Sequence, residues 1–369
     1  MKIYMFYHSI VSDWNHGNAH FLRGIVSAFR RKGHFVAIFE PSMGWSLRNL
    51  VNQKGVGVLY EFNQKFPLHF PTFYNLDNFD PEEVLADADI VLVHEWNEPA
   101  LIKKLGQYRS VNDHFQLYFH DTHHRAVTMP DEMQKFDLKY YDGVLVFGLV
   151  LKEIYEKNGW AKNTFIWHEA ADTTIFQPLP YKDKEGDLVW IGNWGDNERT
   201  DELLEFIIEP VEEMNLKAVF YGVRYPKYAV KLLEKANIEY RDWLPNHEVP
   251  EVFSKYRFTI HVPRRPYVQN LPGIPTIRPF EAMACGIPLI TSTWYDSENL
   301  FTEGKDYLMA NNKEEMKKHI HNLLHEPGLS SALTKHALKT INTQHTCNHR
   351  ANEFFDVYEK IKLQKKQMA

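Results

Sequence analysis

Two short stretches of this chain carry residue types that could do chemistry. The first, Pro275 to Ile290, reads P-T-I-R-P-F-E-A-M-A-C-G-I-P-L-I. It predicts a loop, a helix, a turn at Gly286 and a buried strand. The slender residues Ala282 to Cys285 let a helix pack closely on a sheet, and Gly286 supplies the permissive backbone that ends it. Arg278 and Glu281 stand at i and i+3, so they share one helix face. Unpaired amides at a helix start favour an anion. A cation and amides there suit phosphate, and a carboxylate suits ribose hydroxyls, so the stretch fits a nucleotide. An amphipathic helix with an internal Arg–Glu pair fits the same residues, and the stretch alone leaves both readings open.

The second is His120-Asp121-Thr122-His123-His124-Arg125, directly after the apolar run Phe115 to Phe119. An imidazole with near-neutral pKa can give or take a proton, which makes His120 and His123 candidate catalytic groups with Asp121 beside them. Asp121 or Thr122 capping the next helix is the structural alternative. The same cluster, His120 to His124, could instead chelate a metal as imidazole and carboxylate do for zinc or iron, which would make the chain a metal-dependent hydrolase. Neighbouring histidines rarely all reach one ion, and that reading leaves the first stretch unexplained. Two further groups end apolar runs: Asn15-His16-Gly17 near the start, and His94-Glu95 after Ile90 to Val93. Ligands of open α/β sheets bind at the carboxyl ends of strands, so these are candidate substrate residues.

The elements that must position these groups alternate. Ile3 to Tyr7 is β-rich, Asn18 to Lys32 has helical apolar spacing, and Phe35 to Phe39 resumes strand character, which is a βαβ unit. Strands over 90–93, 115–119, 144–147 and 164–167 follow, with a helix over 151–158. Pro41 to Pro81 has no clear period beyond a possible helix at 46–53. Composition turns proline-rich and then charged from Gln177 to Asp187, which reads as a linker. Strands then restart at 188–192, 218–220, 239–244, 258–262 and 288–292, separated by helices. The expectation is an α/β chain with residues 1–180 as one domain, 181–345 as a second, and 346–369 as a C-terminal helix that packs back on the first.

Composition narrows the classes. The chain has 369 residues, 44% hydrophobic and 24% charged, ordinary for a globular protein and long enough for two domains. A net charge of −6 argues against nucleic acid as the main partner. Two cysteines offer neither a disulfide framework nor a four-cysteine metal set. No window approaches the apolar length of a membrane span, so the expectation is a cytoplasmic protein with at most peripheral membrane contact.

With R-P-F-E-A-M-A-C-G-I-P-L-I in a second α/β half, the chain resembles glycosyltransferases of the GT-B fold. It is most similar to the retaining group-1-like enzymes and their CgeB-like spore-maturation relatives. S-D-W-N-H-G-N-A-H-F-L-R-G-I-V-S-A-F-R-R-K-G-H, D-T-T-I-F-Q-P, V-W-I-G-N-W and Y-R-D-W-L-P-N-H-E-V-P-E-V-F fall in the family's order. The resemblance implies two Rossmann-like domains facing each other across a cleft, and transfer of a sugar from a nucleotide diphosphate, UDP by default, to a glycan, lipid or small-molecule hydroxyl. It also implies retention and no metal or other cofactor, and no D-x-D motif suits a metal role. Glu281, Arg278, Arg199, Gly192, Asn193, Arg224, Arg265 and Thr276 would hold the donor. His120, slightly ahead of His123, and Asp121 would act at the transferring sugar. Asn15, His16, Gly17, His94 and Glu95 would line the acceptor side. The family's first glutamate falls on Gly273 here, so its donor-sugar contacts must come from backbone or from Asn270 to Ile274. That departure also admits a non-catalytic sugar-nucleotide-binding or spore-coat protein.

Overall fold

A computed structural model describes residues 1–180 and 183–368; of the linker segment, Tyr181 and Lys182 lie outside the described residues. The chain forms two compact units, Met1–His168 with the chain from Cys347 onward, and Glu169–Thr346.

The first unit is built on a seven-stranded sheet: β1 (Lys2–Phe6), β2 (Phe35–Pro41), β3 (Thr72–Tyr74), β4 (Ile90–His94), β5 (Gln116–Asp121), β6 (Gly143–Val146) and β7 (Thr164–Ile166). The order is β3-β2-β1-β4-β5-β6-β7 and every pairing is parallel. β4 is buried at every position, as strands covered on both faces must be. The order reverses between β1 and β4, so the carboxyl ends of those strands open the crevice where such sheets take ligands.

The second unit repeats the plan with β8 (Gly186–Ile191), β9 (Ala218–Tyr221), β10 (Glu239–Tyr240), β11 (Tyr256–His261), β12 (Leu289–Ser292) and β13 (Leu308–Ala310). The order β10-β9-β8-β11-β12-β13 is again all parallel, with its switch point between β8 and β11. Its core gathers Trp190, Phe206, Phe220, Phe258 and Ile290 between sheet and helices.

Several elements depart from the expectation. The stretch without period holds the helix Gly57–Lys65 and the edge strand β3. β10 stops at Tyr240 rather than Leu244, because Asp242 takes φ +56° and Pro245 cannot donate to a ladder. The units divide at residues 168 and 169, ahead of the expected boundary at 180. Trp167 is still held in the first unit, where its indole donates to the Arg350 carbonyl at 2.7 Å. Ala171 already belongs to the second, donating to the His345 carbonyl at 2.9 Å. The helix Cys347–Met368 lies on the first unit, with Phe354 and Phe355 each 5.2 Å from Phe29 between ring centres.

Candidate functional sites

In the first unit, β1, β4 and β5 all run into histidines at their carboxyl ends: His8, His94 and His120. β4 and β5 pair with His94 opposite His120, and the rings lie 5.3 Å apart. His8 lies 5.3 Å from His94 and 4.1 Å from His16, which the β1 loop brings in. The four imidazoles therefore come from separate parts of the sequence and meet at the switch point. His94 accepts from the Trp96 amide at Nδ1 (3.4 Å), so its Nε2 hydrogen is directed to Thr122 Oγ1 (3.2 Å), which also receives Asn18 Nδ2. His120 is fully buried between Phe21 and Trp167, and among the described residues neither ring nitrogen has a hydrogen-bond partner. Burial pushes His8 and His120 down to about 3 and His16 and His94 well below their usual value, so all four are neutral.

Successive residues of a strand face opposite ways, and this splits the His-Asp-x-His pattern. His120 turns to Trp167. Asp121 accepts from the Tyr155 hydroxyl (2.7 Å) and the His123 amide (3.1 Å), a turn within the loop and not a cap, since the helix Arg125–Thr128 starts at His124 with no side-chain cap. The His123 ring lies tilted against His124 at 4.0 Å and edge-on to Trp96 at 4.8 Å. The metal-chelating cluster over His120–His124 is thus not assembled. Among the described residues no group of three His, Cys, Asp or Glu side chains could hold an ion. Asp87-Ala88-Asp89 has D-x-D form but precedes β4, at its amino end, where Asp87 is tied to Lys2 and Tyr4. Glu95 is buried and paired with Arg125 at 2.9 Å, and Arg125 lies 4.6 Å from the Trp96 ring. The expected acceptor residue is therefore the counter-ion that fixes Arg125 under Trp96. Gly17 is exposed and Asn15 takes φ +51° in the same loop as His16.

That loop is held by residues the sequence reading missed. Glu40, fully buried at the end of β2, accepts from the Ile10 amide (2.7 Å), the Val11 amide (3.2 Å) and Ser9 Oγ (3.1 Å). From the other side Arg23 donates to the Ile10 and Val11 carbonyls, each at 2.9 Å, and pairs with Asp13 at 3.0 Å. Burial raises the Glu40 carboxyl to about 7, against the lowering effect of those amides.

In the second unit the helix Ile277–Cys285 starts at Thr276, which makes no side-chain cap, and its first turn has no acidic residue. Gly286 ends it at φ +67°, as its position requires. Arg278 pairs with Glu281 itself, and the other Glu281 oxygen accepts from Asn246 Nδ2 at 2.8 Å. Arg199 spans the switch point: it donates to the Val262 carbonyl (2.7 Å) and the Asn193 carbonyl (2.5 Å) and packs over Trp190. Burial, then Arg264 and Arg278, lower it to about 9. His261, at the end of β11, is lowered to about 3 by burial, then by Arg199 and Arg278. Arg199 and Arg278 are therefore two cations close to neutral His261 at the end of β11. His261 and Asn246 were not singled out from sequence; strand-end position was the available signal for His261.

Gly192 leaves room for the Trp190 ring, which a Cβ would meet at 2.9 Å. Asn193 Oδ1 accepts from the Val223 amide at 2.9 Å, which ties the loop after β8 to that after β9. Arg224 and Arg265 stand apart from Arg199 and Arg278. Arg224 makes a surface pair with Asp196, and Arg265 is bound by Asp201 and Glu202.

Comparison with known proteins agrees with this architecture. Residues 199–356 match the family described as "Glycosyl transferase-like". No curated protein matches the chain. Among solved structures it is similar to sucrose-phosphate synthase from Thermosynechococcus elongatus, with TM-score 0.67 and 14% identity over 99% of this chain and 100% of that one. It is also similar to T4 phage β-glucosyltransferase in complex with its UDP-glucose substrate, with TM-score 0.62 and 15% identity over 98% and 99%. A third is Anabaena HepE in complex with UDP and glucose, with TM-score 0.67 and 12% identity over 98% and 100%. The chain has the two parallel-sheet, Rossmann-like units of the GT-B fold.

Proposed function

We propose that the chain transfers a sugar from a nucleoside diphosphate sugar, with UDP as the nucleotide of first choice, to an acceptor hydroxyl. The observation that carries this is the cluster at the start of the helix Ile277–Cys285: uncapped amides, Arg278, Glu281, Arg199 and His261 at one switch point. A diphosphate would draw Arg278 off Glu281, which releases that carboxylate to the ribose hydroxyls. As the C1–O bond breaks, Arg278, Arg199 and the helix amides would oppose the charge that develops on the leaving diphosphate. The first unit supplies the acceptor side, where neutral imidazoles can accept from or donate to hydroxyls.

Finer points rest on the resemblance: retention, operation without a metal, and kinship with the CgeB-like branch through Arg278-Pro279-Phe280-Glu281. The complexes of T4 phage β-glucosyltransferase with UDP-glucose and of HepE with UDP support UDP as the first nucleotide to try.

Thermal shift with UDP, GDP, ADP and dTDP tests the donor site, since a ligand of the native state raises stability by mass action. At least one nucleoside diphosphate should raise the Tm, and Glu281→Ala should abolish the rise. A full shift in that variant would place the nucleotide elsewhere. Turnover of radiolabelled UDP-sugars, by hydrolysis or transfer, separates an enzyme from a binding protein of the same fold.

A further inference from the structure

β1 and β4 pair with Phe6 opposite Val93, so the residues just beyond them, His8 and Trp96, emerge side by side where the strand order reverses. Their rings lie 6.1 Å apart. Trp96 is 46% exposed, a large apolar ring left in water at the mouth of a ligand crevice. It is nevertheless held in place. Arg125 lies over the ring, 4.6 Å from its centre, and is fixed at 2.9 Å by the buried Glu95. His123 meets the ring edge-on at 4.8 Å. With Arg125 on one face, the exposed area belongs chiefly to the other. His8 is partly exposed beside it, with His16 at 4.1 Å and His94 at 5.3 Å packed on its ring. Among the described residues neither nitrogen of His8 has a hydrogen-bond partner: Nδ1 is buried and Nε2 is open.

We propose that the acceptor is a sugar, whose ring stacks on Trp96 while one of its hydroxyls binds His8. The inference rests on the transferase reading and names the class of acceptor that the first unit takes. A pyranose has a face of C–H bonds and a rim of hydroxyls. A fixed aromatic plane with a polar group at its edge matches both. His8 is neutral, so its open nitrogen can accept from or donate to a hydroxyl without calling for a charged ligand. The arginines that reach the loop after β1 and the Trp96 ring are already neutralised, Arg23 by Asp13 and Arg125 by Glu95. A phosphate gains little from such paired cations, which sets a sugar ahead of a nucleic-acid base as the group that stacks. A simple lipid alcohol has no ring face to lay on the indole. His8 and Trp96 carry no motif in sequence, and the pairing of β1 with β4 is what brings them together.

The test titrates the methyl glycosides of glucose, galactose, mannose and N-acetylglucosamine, and separately an oligothymidylate, into the full chain saturated with UDP. Binding is followed by saturation-transfer NMR on the unaltered protein and on Trp96→Ala, Trp96→Phe and His8→Phe. At least one glycoside should bind, with saturation concentrated on the C–H protons of one ring face. Trp96→Ala should weaken it about tenfold or more, on the order of one lost aromatic contact, and Trp96→Phe should keep most of the affinity. His8→Phe should weaken it too, and one monodeoxy derivative of that glycoside should bind the unaltered chain and His8→Phe alike, as coupling of that hydroxyl to His8 requires. UDP should raise the melting temperature of all four proteins equally, because the donor residues lie in the second unit. No binding by any glycoside, or equal affinity in Trp96→Ala, overturns the proposal while the UDP shift still upholds the donor site. Oligothymidylate binding that Trp96→Ala abolishes, with the glycosides inert, overturns it in favour of a nucleic-acid acceptor. Failure of UDP to bind the unaltered chain overturns the transferase reading and the acceptor role with it.

Discussion

Five histidines of this protein are kept neutral by burial, and that has a consequence in acid. His8, His120 and His261 fall to about 3, and His16 and His94 fall well below their usual value. Each folded value lies below the unfolded value of about 6.5, so below that pH the unfolded chain binds more protons. Stability from these groups is complete above pH 6.5 and drains as pH falls toward 3, by up to about 1.4 kcal/mol per pH unit for each. The melting temperature should fall steeply between pH 6 and 4, and His120→Phe should flatten that limb. An unchanged limb would show that the imidazole at 120 is not the group described here. His120→Ala should leave the UDP shift intact and slow transfer, because His120 belongs to the first unit and the proposed donor cluster to the second; full turnover would move the role to His123. His120 was legible from its place after an apolar run. His16 and His94 were legible too, as acceptor-side candidates, but their meeting with His8 and His120 was not, because only the parallel register of β1, β4 and β5 gathers these strand ends.

The loop from Ser9 to Gly17 shows what an element needs to hold a site. Glu40 and Arg23 grip both sides of the Ile10 and Val11 peptides, and Ser9, Ser12 and Ser46 extend the buried network to the Trp14 carbonyl. Burying two charges carries a desolvation cost that packing alone does not explain, so the grip points to a loop whose shape matters. The Glu40 carboxyl, near 7 when folded against about 4.5 unfolded, has the opposite sign to the histidines. Its contribution is favourable below about pH 4.5 and is lost as pH rises through 7. Glu40→Gln cannot ionise, so its melting temperature should gain on that of the unaltered protein as pH goes from 5 to 8. Glu40→Ala should speed hydrogen exchange in the peptide spanning residues 8–17, because the Ile10 and Val11 amides lose their acceptor. An exchange rate equal to that of the unaltered protein would mean the carboxylate does not hold the loop. Element types in this region were readable where periodicity was strong, as over Ala19–Arg31. The Glu40 grip was not readable, since an acid in an apolar strand gives no sign of which amides it meets.

Each unit has its own sheet and core, but only the second is one continuous run of chain. The first unit is closed by its C-terminal helix: Phe354 lies 5.2 Å from both Phe29 and Tyr118 and 5.9 Å from Trp167, and Arg350 accepts the Trp167 indole hydrogen at its carbonyl. Phe354 and Ile361 are buried there with Ala351. Removing a helix that covers such aromatic surface forfeits several side chains' worth of burial, at about 1.5–3 kcal/mol for each large one, which is comparable to the whole stability of a domain. A chain ending at residue 346 should therefore lose the folded first unit while the second remains. In thermal denaturation the shortened chain should show one transition, and that transition should still rise with UDP, because Arg199, His261, Arg278 and Glu281 all lie in the continuous unit. Trp167 fluorescence should shift to the red as its pocket opens, an effect that supplying the 347–369 peptide in trans should reverse. Retention of two transitions would show that the sheet of the first unit stands without its last helix. Loss of the UDP response together with the first unit would show that the donor site is not complete within residues 169–346.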